Sequence, residues 1–531
     1  MEPFKRWTLL AAVLGSGIVF LDSTVVNVAL PEMGRDLESS FFGVLESQSY
    51  VYYGYLLTLS ALLILAGALS DYYGRRRLFT YGLAGFGVTS VLCGLAPNME
   101  LLILARLLQG AAGAILVPGS LAILTTTFSG EEQGRAFGFW AGASALTAIL
   151  GPPVGGALVA YTSWRAVFLI NIPLVAIALI ATFRHMPESK DESAAGRFDW
   201  PGAIVIALAL AGLTFGVIRG QVEEWKSATG FIALGVGALA LAAFPFMMRR
   251  SPHPLVPLDL FKSRNFTVTN ISTFLIYGAL YVSFQYQALF LIGTIGYNEL
   301  AYGIAGLIGP IFLVFLSTRM GALAARIGPR WFMTIGPGLM AIGLLWFIRF
   351  PSDSEPWVAT LGDPGSLLPP SSYWTDIFPA LVVFGLGLAI MVAPLTSALM
   401  RSVHPSHSGV ASAINNAISR IGPQLGGALL FVAATATFYG MLGDLAPSVD
   451  TSRPEVRTEI SPFNPAPEDS GPAVRKAVDE ASTDAFHLTA LAAAALCAIG
   501  AIVNGAGIRN EELHDHEPDP EPEPEPERAA A

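Results

Sequence analysis

Long apolar runs separated by shorter polar segments dominate the pattern of this chain. Each run holds about 18 to 28 residues, and at 1.5 Å of rise per residue a helix of that length crosses a hydrocarbon core of about 30 Å. The pattern therefore predicts an all-α membrane protein with fourteen spanning helices. They lie near residues 7–30, 50–70, 78–97, 101–127, 136–161, 165–184, 199–219, 228–248, 266–293, 302–323, 331–350, 376–400, 409–437 and 484–508.

The composition supports this interpretation. Of the 531 residues, 53% are hydrophobic and 13% are charged, and the mean hydropathy is +0.56, which is too apolar for a soluble globular protein. The first run carries Asp22 and Asn27 and no small-residue cleavage site follows it, so it is interpreted as a span and not as a signal peptide. Much of the net charge of −10 comes from the Pro-alternating acidic segment 509–531, which is expected to be a disordered tail.

Several kinds of site find no support in the sequence. Cys93 and Cys497 lie far apart inside apolar runs, which predicts two packed thiols and no disulfide or Cys-based metal site. The histidines are scattered without a metal-ligand set, and no GxxxxGK[ST] motif indicates ATP hydrolysis. The sequence predicts no metal, no cofactor and no enzymatic activity.

Basic residues fall mainly in one set of alternate loops. This set begins with Lys5 and Arg6 and continues with 75–77, 249–250 and 326–330. Because cytoplasmic loops are enriched in Lys and Arg, these loops are predicted to be cytoplasmic. An even number of spans then places both termini in the cytoplasm.

Two short segments recur along the chain. Residues 151–158 read GPPVGGAL and residues 422–429 read GPQLGGAL, while GALSDYYGRRR from Gly67 is echoed by GALAARIGPR from Gly321. Both matches are shifted by eight spans, which predicts six helices, two inserted helices and six more.

The repeat divides the chain into four predicted units. They are a first six-helix bundle (1–190), two inserted helices (191–262), a second six-helix bundle with an extracytoplasmic loop 440–484 (263–508), and the acidic cytoplasmic tail (509–531). In the extracytoplasmic loop, the stretch GPAVRKAVDEA from Gly471 predicts a short surface helix.

An acid and a base lie inside predicted spans, and such groups are candidates for function because burying a charge in a bilayer is costly. Asp22 lies roughly 12 Å and Arg106 roughly 8 Å from the outer ends of their helices, so the two can share a depth. A carboxylate between a cation and an apolar environment can take up and release a proton. Asp22 is therefore a candidate proton carrier with Arg106 as its partner; the alternative is a static ion pair that locks two helices together.

The loop after the second span carries Asp71, Arg75 and Arg76 together with Gly67 and Gly74. One interpretation is a charge cluster that holds one conformation closed by facing a helix end or another loop. The alternative is a topology signal that keeps the loop in the cytoplasm.

The fifth span carries a group of small residues and a proline, namely Gly151, Pro152, Gly155 and Gly156. Glycines let another backbone approach closely, and proline weakens a helix. The group predicts a bendable packing seam, with ordinary close packing as the alternative.

Polar side chains inside the spans are candidates to line a substrate cavity. Tyr277, Tyr281 and Gln285 follow one another at i+4 positions of one helix face. Such a stripe can line a cavity or make interhelical hydrogen bonds, and the sequence leaves both open. The full candidate set is Asn27, Gln109, Tyr277, Tyr281, Gln285, Asn415 and Asn416.

These motifs resemble those of the major facilitator superfamily and, more narrowly, its fourteen-span drug:proton antiporter branch. LDSTVVNVALP from Leu21 resembles the first-helix signature of that branch, and GALSDYYGRRR resembles the superfamily's loop signature. ARLLQGAAGA from Ala105 resembles the fourth-helix signature, and GPPVGGAL resembles the fifth-helix antiporter signature. SWRAVFLINIP from Ser163 is also typical of the branch.

The resemblance implies two six-helix bundles plus two inserted helices, and proton-driven export of amphipathic drugs or toxic compounds across the cytoplasmic membrane by alternating access. The proton gradient would supply the energy, and the partners would be the bilayer, protons and a small amphipathic substrate, without nucleic acid. One alternative is a dedicated exporter of a single metabolite, siderophore, peptide or lipid. Another is a solute:proton symporter, but the antiporter-like segment GPPVGGAL argues against it. The sequence does not decide whether the protein has a periplasmic or cell-wall partner.

Overall fold

The structure, a computed structural model, describes residues 2–38, 44–190, 198–222, 228–360, 362–467 and 470–510. These residues are predominantly helical and contain no β-strand, only an isolated bridge between Thr360 and Asp363. The all-α prediction is confirmed. Most of the predicted acidic tail, 511–531, lies outside the described residues.

The first half of the chain forms a first set of helices followed by a middle pair. They are α1 (Pro3–Asp36), α2 (Val44–Tyr73), α3 (Arg75–Gly94), α4 (Met99–Thr127), α5 (Gly130–Tyr161), α6 (Ala166–Leu169) and α7 (Asn171–His185), then the middle pair α8 (Trp200–Val222) and α9 (Ala228–Arg250). Local sequence explains some of the ends. Asn98 caps α4 by accepting a hydrogen bond from the backbone N–H of Leu101 at 3.0 Å.

The second half of the chain forms a second set. It comprises α10 (Arg264–Leu289), α11 (Glu299–Ala305), α12 (Ile308–Ile327), α13 (Arg330–Trp346), α14 (Phe378–Arg401), α15 (Ser408–Leu445), α16 (Pro454–Glu459) and α17 (Pro472–Gly507). The π-helical turn Phe290–Thr294 extends α10, and another, Tyr373–Ile377, precedes α14. Short 3₁₀ turns occupy Leu258–Lys262, Phe347–Arg349, Pro364–Leu367 and Pro405–His407.

Three helices differ from their predicted form. The predicted span 165–184 is divided at Ile170 into α6 and α7, and the span 302–323 is divided near Gly306 into α11 and α12. The separate surface helix predicted from Gly471 is wrong. Its residues form the first turns of α17, because proline fits the first turn of a helix and no further proline interrupts the chain before Gly507.

Eleven helical stretches of the described chain are long and apolar enough to cross a membrane. Helices α3, α5 and α15 are not among these stretches, but they contain 20, 32 and 38 residues and pack within the same bundle. A helix of 20 residues is about 30 Å long, which matches the thickness of a hydrocarbon core.

The two sets have the same internal arrangement. In the first set, α1 packs on α5 and α7, α4 packs on α2 and α3, and α3 packs on α7. In the second set, α10 packs on α15 and α17, α14 packs on α12 and α13, and α13 packs on α17. Helices α1, α3, α4 and α7 therefore correspond in position to α10, α13, α14 and α17.

Helices α5 and α12 join the two sets through small residues. A Cβ atom on Gly138 of α5 would lie 2.5 Å from the Cα of Thr318, and one on Gly142 would lie 3.1 Å from the Cα of Val314. Four and eight residues further along the same face of α5, however, Leu146 and Leu150 are 41% and 43% exposed. The two helices are therefore closely packed near the start of α5 and diverge beyond Gly142.

Arg75, Arg76 and Arg77, which follow α2, lie at the end where α5 and α12 are closely packed. We call this end the basic end. Helices α2 and α15 also approach each other there, through Gly67 and Gly409. Within the described residues, α1 and α10 do not pack on each other. The two sets are thus joined at the basic end and separated towards the opposite end.

The middle pair lies against both sets. Helix α8 packs on α2 and on α15, whereas α9 packs mainly on α8. Glycines allow the close contact between the two: a Cβ atom on Gly237 of α9 would lie 2.5 Å from the backbone nitrogen of Leu213 and 2.9 Å from the carbonyl carbon of Gly212.

Substituting Gly237 tests this packing. We expect Gly237→Ala to lower the free energy of unfolding by about 1–3 kcal/mol, because the new methyl group would overlap the backbone of α8. Gly235→Ala is the matched control, since no atom lies within 4 Å of its Cβ position and alanine favours helix. The measurement is thermal unfolding of the detergent-solubilised protein. Equal stability of the two variants would contradict the packing.

Candidate functional site

The centre of the first set holds a fully buried ion pair. Asp22 of α1 and Arg106 of α4 are both 0% exposed, and Nη1 of Arg106 donates to Oδ2 of Asp22 at 2.5 Å. Oδ1 of Asp22 accepts hydrogen bonds from Nε2 of Gln109 and from Nδ2 of Asn171, both at 3.1 Å. Both carboxylate oxygens are therefore satisfied, as the burial of a charge requires.

The guanidinium group of Arg106 is bound on several sides. Its Nε donates to the carbonyl oxygen of Val51 at 3.1 Å, and its Nη1 also donates to Oε1 of Gln109 at 2.7 Å. The ring of Tyr55 lies 4.1 Å from the guanidinium carbon and the ring of Phe168 lies 5.7 Å away. Such cation–π contacts are worth more in a desolvated site than at a surface.

The network around the pair contains two atoms without a partner. Oγ of Ser90 accepts hydrogen bonds from Gln109 at 2.8 Å and from Asn171 at 3.3 Å. Within the described part of the chain, Nη2 of Arg106 and Oδ1 of Asn171 make no hydrogen bond. The network therefore contains one unused donor atom and one unused acceptor atom. These atoms can form new hydrogen bonds if the side chains of the network rearrange.

The sequence pattern identified Asp22, Arg106 and Gln109 but missed Asn171 and Ser90. Asn171 gives the same signal as Asp22, a strongly polar side chain inside an apolar run, and could have been found by it. Ser90 gives no such signal, because serine is common inside spans and usually bonds to its own helix. Only the packing of α3 against α4 and α7 brings Ser90 to the site.

Asp71 links the two sets at the basic end. Its Oδ1 accepts hydrogen bonds from Nε and Nη2 of Arg75 at 2.9 and 2.7 Å. The same carboxylate accepts the backbone N–H groups of Gly409 at 3.1 Å and Val410 at 2.9 Å. These two residues lie in the first turn of α15, where the helix dipole favours a negative charge. The carboxylate of α2 is thus held against the start of α15.

The two arginines of the predicted gating loop have different partners. Nη2 of Arg75 donates to the carbonyl oxygens of Pro405 at 2.6 Å and Ser406 at 3.2 Å, which belong to the second set. The backbone N–H of Arg76 instead donates to Glu188 at 3.0 Å, within the first set. Arg75 therefore takes part in the contact between the sets, and Arg76 fixes the start of α3.

Of the two glycines predicted in this loop, Gly67 lies inside α2 and Gly74 lies between α2 and α3, and the structure explains why each is a glycine. Gly74 has a φ of 107°, a backbone conformation that residues with a side chain rarely adopt. A Cβ atom on Gly67 would collide with the backbone of Gly409 and the side chain of Ala413. Gly74 therefore allows the turn, and Gly67 allows α15 to approach.

A second charged link lies nearby, at the starting turn of α5. Glu131 accepts a hydrogen bond from Nε of Arg326 at 2.6 Å and also pairs with Arg135. The hydrogen bond from Arg326 holds the pKa of Glu131 below its ordinary value. Because this pKa is lowered, the ion pair of Glu131 with Arg326 is fully formed when the pH is above the ordinary pKa range of glutamate. The pair is lost only as the pH falls below that range.

Two of the predicted hinge residues, Gly151 and Gly155, face the helix that carries Asp22. Helix α5 is continuous through this region, and a Cβ atom on Gly155 would lie 2.8 Å from Cγ2 of Val25 in α1. A Cβ atom on Gly151 would collide with Oγ1 of Thr24, also in α1, whereas the nearest neighbour of Gly156 is 3.9 Å away. The side chain of Pro152 lies outside the described residues. The seam therefore lies between α5 and α1, inside the first set.

The predicted cavity residues do not form one cluster. On α10, Tyr277 is half-buried, Tyr281 is 49% exposed and Gln285 is exposed, so this stripe lies on the open face of the second set. The side chain of Asn27 lies outside the described residues. Gln109 belongs to the ion-pair network described above.

The two asparagines of α15 have different surroundings. Nδ2 of Asn415 donates across to α10, to Asn270 at 3.1 Å and to Thr273 at 2.8 Å. Nδ2 of Asn416 donates to the carbonyl oxygen of Ser412 in its own helix at 2.9 Å. Asn415 therefore makes the interhelical hydrogen bonds that the sequence had left as an alternative to cavity lining.

Comparison with known proteins identifies the fold. The family model "Major Facilitator Superfamily" matches residues 12–427 of the chain. The chain belongs to the major facilitator superfamily. Members of this superfamily are membrane transporters, so the protein is a membrane-embedded transport protein that acts on small substrates, and not an enzyme.

Relatives and solved structures agree with this family. The multidrug resistance protein Stp of Mycobacterium tuberculosis (strain CDC 1551 / Oshkosh) is 31% identical over 81% of this chain and 76% of its own length. The puromycin resistance protein pur8 of Streptomyces alboniger is 31% identical over 83% of this chain and 84% of its own length. A solved structure of the human organic anion transporter MFSD10 (TETRAN) has a TM-score of 0.58 at 14% identity, covering 95% of this chain and 100% of that chain.

Paired substitutions test the energetics of the buried ion pair. We expect Asp22→Asn and Arg106→Gln each to lower the free energy of unfolding by about 3–5 kcal/mol, because each leaves a buried polar or charged partner unpaired. The double variant is expected to lose less than the sum of the two. The measurement is unfolding in detergent. The same double-variant comparison at the exposed pair of Glu32 and Arg35 is the matched control, and its interaction energy should be about 0–1 kcal/mol. If the losses at the buried pair were simply additive, strong coupling between Asp22 and Arg106 would be contradicted.

A distance measurement tests the closure of the basic end. We expect Asp71→Asn to populate a state in which this end is open, because the amide cannot replace the charge that faces α15 and Arg75. Spin labels at the exposed positions Arg77 and Ile327 report the distance between the sets. Asp363→Asn, at an exposed capping position far along the chain, is the control. An unchanged distance distribution in Asp71→Asn would refute the role of this contact.

Proposed function

We propose that this chain is a proton-driven antiporter that exports amphipathic drugs or toxic compounds by alternating access. The observation that carries the proposal is the fully buried pair of Asp22 and Arg106, inside spanning helices of a major facilitator protein. Relatives of about 30% identity support the direction and the substrate class, since they are named for multidrug resistance, puromycin resistance and actinorhodin transport.

In the proposed cycle, Asp22 carries the proton and Arg106 sets when the proton is released. With the pair formed, the cation stabilises the carboxylate and favours the deprotonated state. When water from the proton-rich side reaches the site, the carboxyl oxygen binds a proton, its charge is neutralised, and the guanidinium turns to other acceptors. Gln109 and Asn171 already bond to Asp22 and hold it in place through this exchange.

The gating loop and the glycine seams control access in this proposal. Asp71 and Arg75 would hold the basic end closed through the start of α15, with Gly67 and Gly74 shaping the contact. Gly151, Pro152, Gly155 and Gly156 would transmit movement of α5 to α1, the helix that carries Asp22. Breaking the Asp71 contact would then allow the basic end to open.

We further propose the topology that the arginine distribution predicts. The basic end would face the cytoplasm and both termini would be cytoplasmic, with fourteen spans in the plasma membrane. Bundles 1–190 and 263–508 would enclose the pathway, and 191–262 would supply the two inserted helices. On this orientation, the conformation with the sets joined at the basic end is outward-open.

A dedicated exporter of one compound is the second candidate. It is favoured by relatives such as the probable actinorhodin transporter of Streptomyces coelicolor (strain ATCC BAA-471 / A3(2) / M145), which is 31% identical over 86% of this chain and 77% of its own length. The difference between the two candidates lies in the range of substrates, not in the coupling mechanism.

Transport in proteoliposomes tests the proposal. We expect puromycin or ethidium to cause proton movement, reported by an enclosed pH dye under an imposed proton gradient. Asp22→Asn should abolish this signal, because the amide cannot bind and release a proton. Asp36→Asn is the matched control, since Asp36 lies at the end of the same helix and pairs with Arg165. Retained coupling in Asp22→Asn would refute the assignment, and a response to a single compound would favour the dedicated exporter.

A further inference from the structure

Arg420 of α15 is a charged side chain inside a predicted span, and it does not belong to the ion-pair network. It lies twelve residues after the start of α15, roughly 18 Å from the basic end. The side chain is half-buried, and among the described residues it makes no ion pair and no hydrogen bond. Because a cation inside a spanning helix is costly, such a residue is a candidate for function.

Arg420 lies on the face of α15 that is turned towards α2. At the basic end of this face, a Cβ atom on Gly67 of α2 would lie 2.5 Å from the carbonyl oxygen of Gly409. Arg420 follows Gly409 by eleven residues, and Leu56 precedes Gly67 by eleven residues, which is about three turns of helix in each case. Because α2 ends and α15 begins at the basic end, Arg420 and Leu56 lie at about the same depth on facing sides of the two sets.

The nearest positions on these two faces offer Arg420 no anionic partner. Leu56 is apolar. Asn416, one turn before Arg420 on the same face of α15, donates to the carbonyl oxygen of Ser412 in its own helix at 2.9 Å. The guanidinium group is therefore left to bind water or a ligand that enters between the sets.

The ion-pair site of the first set lies across from Arg420 and leaves its charge unpaired. An electrostatic interaction links Arg420 to the hydroxyl group of Tyr55, and the ring of Tyr55 lies 4.1 Å from the guanidinium carbon of Arg106. Asp22 is fully buried and already paired with Arg106. The positive charge of Arg420 therefore acts on the space between the sets, where apolar walls focus the field of a charge.

We propose that Arg420 binds the acidic group of an amphipathic substrate, a carboxylate or a similar anion, between the two sets. A guanidinium group presents its donors in a planar fork that matches the two oxygens of a carboxylate. The proposal rests on the export function proposed above and narrows it, because an acidic compound would bind more tightly than a neutral compound of the same shape. The acid is a preference within the amphipathic class and not a requirement.

Binding of two matched probes to the full chain tests this site. The probe 1-naphthoate carries a carboxylate at neutral pH, whereas 1-naphthamide has the same ring and an uncharged amide. In phosphatidylcholine nanodiscs we expect the carboxylate to bind about tenfold more tightly, which corresponds to about 1.4 kcal/mol and is typical of a hydrogen bond to a charged group. Equilibrium dialysis against empty nanodiscs corrects for partition into lipid.

Three variants separate the charge of Arg420 from its packing. Arg420→Gln should reduce the preference for the carboxylate to less than about twofold and leave naphthamide binding unchanged, which also shows that the site is intact. Arg420→Lys should keep part of the preference, because it retains the charge but not the fork. Arg319→Gln is the matched control. Arg319 is exposed on α12, one turn after Phe315, which is 75% exposed, so this variant removes an equal charge from the outer face of the bundle.

The outcomes distinguish this proposal from the export function. Equal binding of the two probes by the wild type, or an equal loss of preference in Arg420→Gln and Arg319→Gln, would overturn it. A preference that disappears when phosphatidylglycerol is added to the nanodiscs would also overturn it, because a lipid headgroup would then occupy the site. The assay uses no proton gradient, so the preference for the carboxylate stands even if no substrate drives proton movement in proteoliposomes.

Discussion

The burial of Asp22 against Arg106 is the constraint on which the first set depends. Removing a carboxylate and a guanidinium from water costs several kcal/mol per ion, and their attraction offsets this cost only with good geometry and further hydrogen bonds. The structure supplies both, through an ion pair of 2.5 Å and amide donors from α4 and α7. Helices α1, α3, α4 and α7 are therefore held in one arrangement, because moving any of them would leave a buried polar group unpaired.

The contact between the sets follows a different principle. Near the basic end it consists of glycines, which bring the backbones of α5 and α12 close together, and of Asp71 placed on the first turn of α15. Among the described residues, Asp71 and Arg75 supply hydrogen bonds that join this end of the first set to the second set. Beyond Gly142 the same face of α5 becomes exposed at Leu146 and Leu150. The close contact is therefore confined to the basic end.

The two sets share their packing but differ in what they bury. At equivalent positions one has a charged network and the other has four phenylalanines. The duplicated fold therefore encloses a charged network in one set and a cluster of aromatic side chains in the other.

Much of this protein could be predicted from local features of its sequence. The apolar runs determined the helices, because a membrane requires every backbone polar group to be satisfied within its own segment. The rarity of charge inside those runs identified Asp22 and Arg106, and the repeated glycine segments indicated the duplication. The family followed from the same motifs.

Other features depended on contacts between distant parts of the chain, which no local pattern records. Asn171 and Ser90 belong to the site only because α7 and α3 pack beside α4. The aromatic cluster of Phe284, Phe347, Phe384 and Phe486 could not be predicted, since these phenylalanines are ordinary residues of apolar segments until the helices meet. The sequence determined which segments are helical and which charges are buried, because these depend on local composition. The tertiary structure decided which polar groups meet and where space remains, because both depend on how the helices pack.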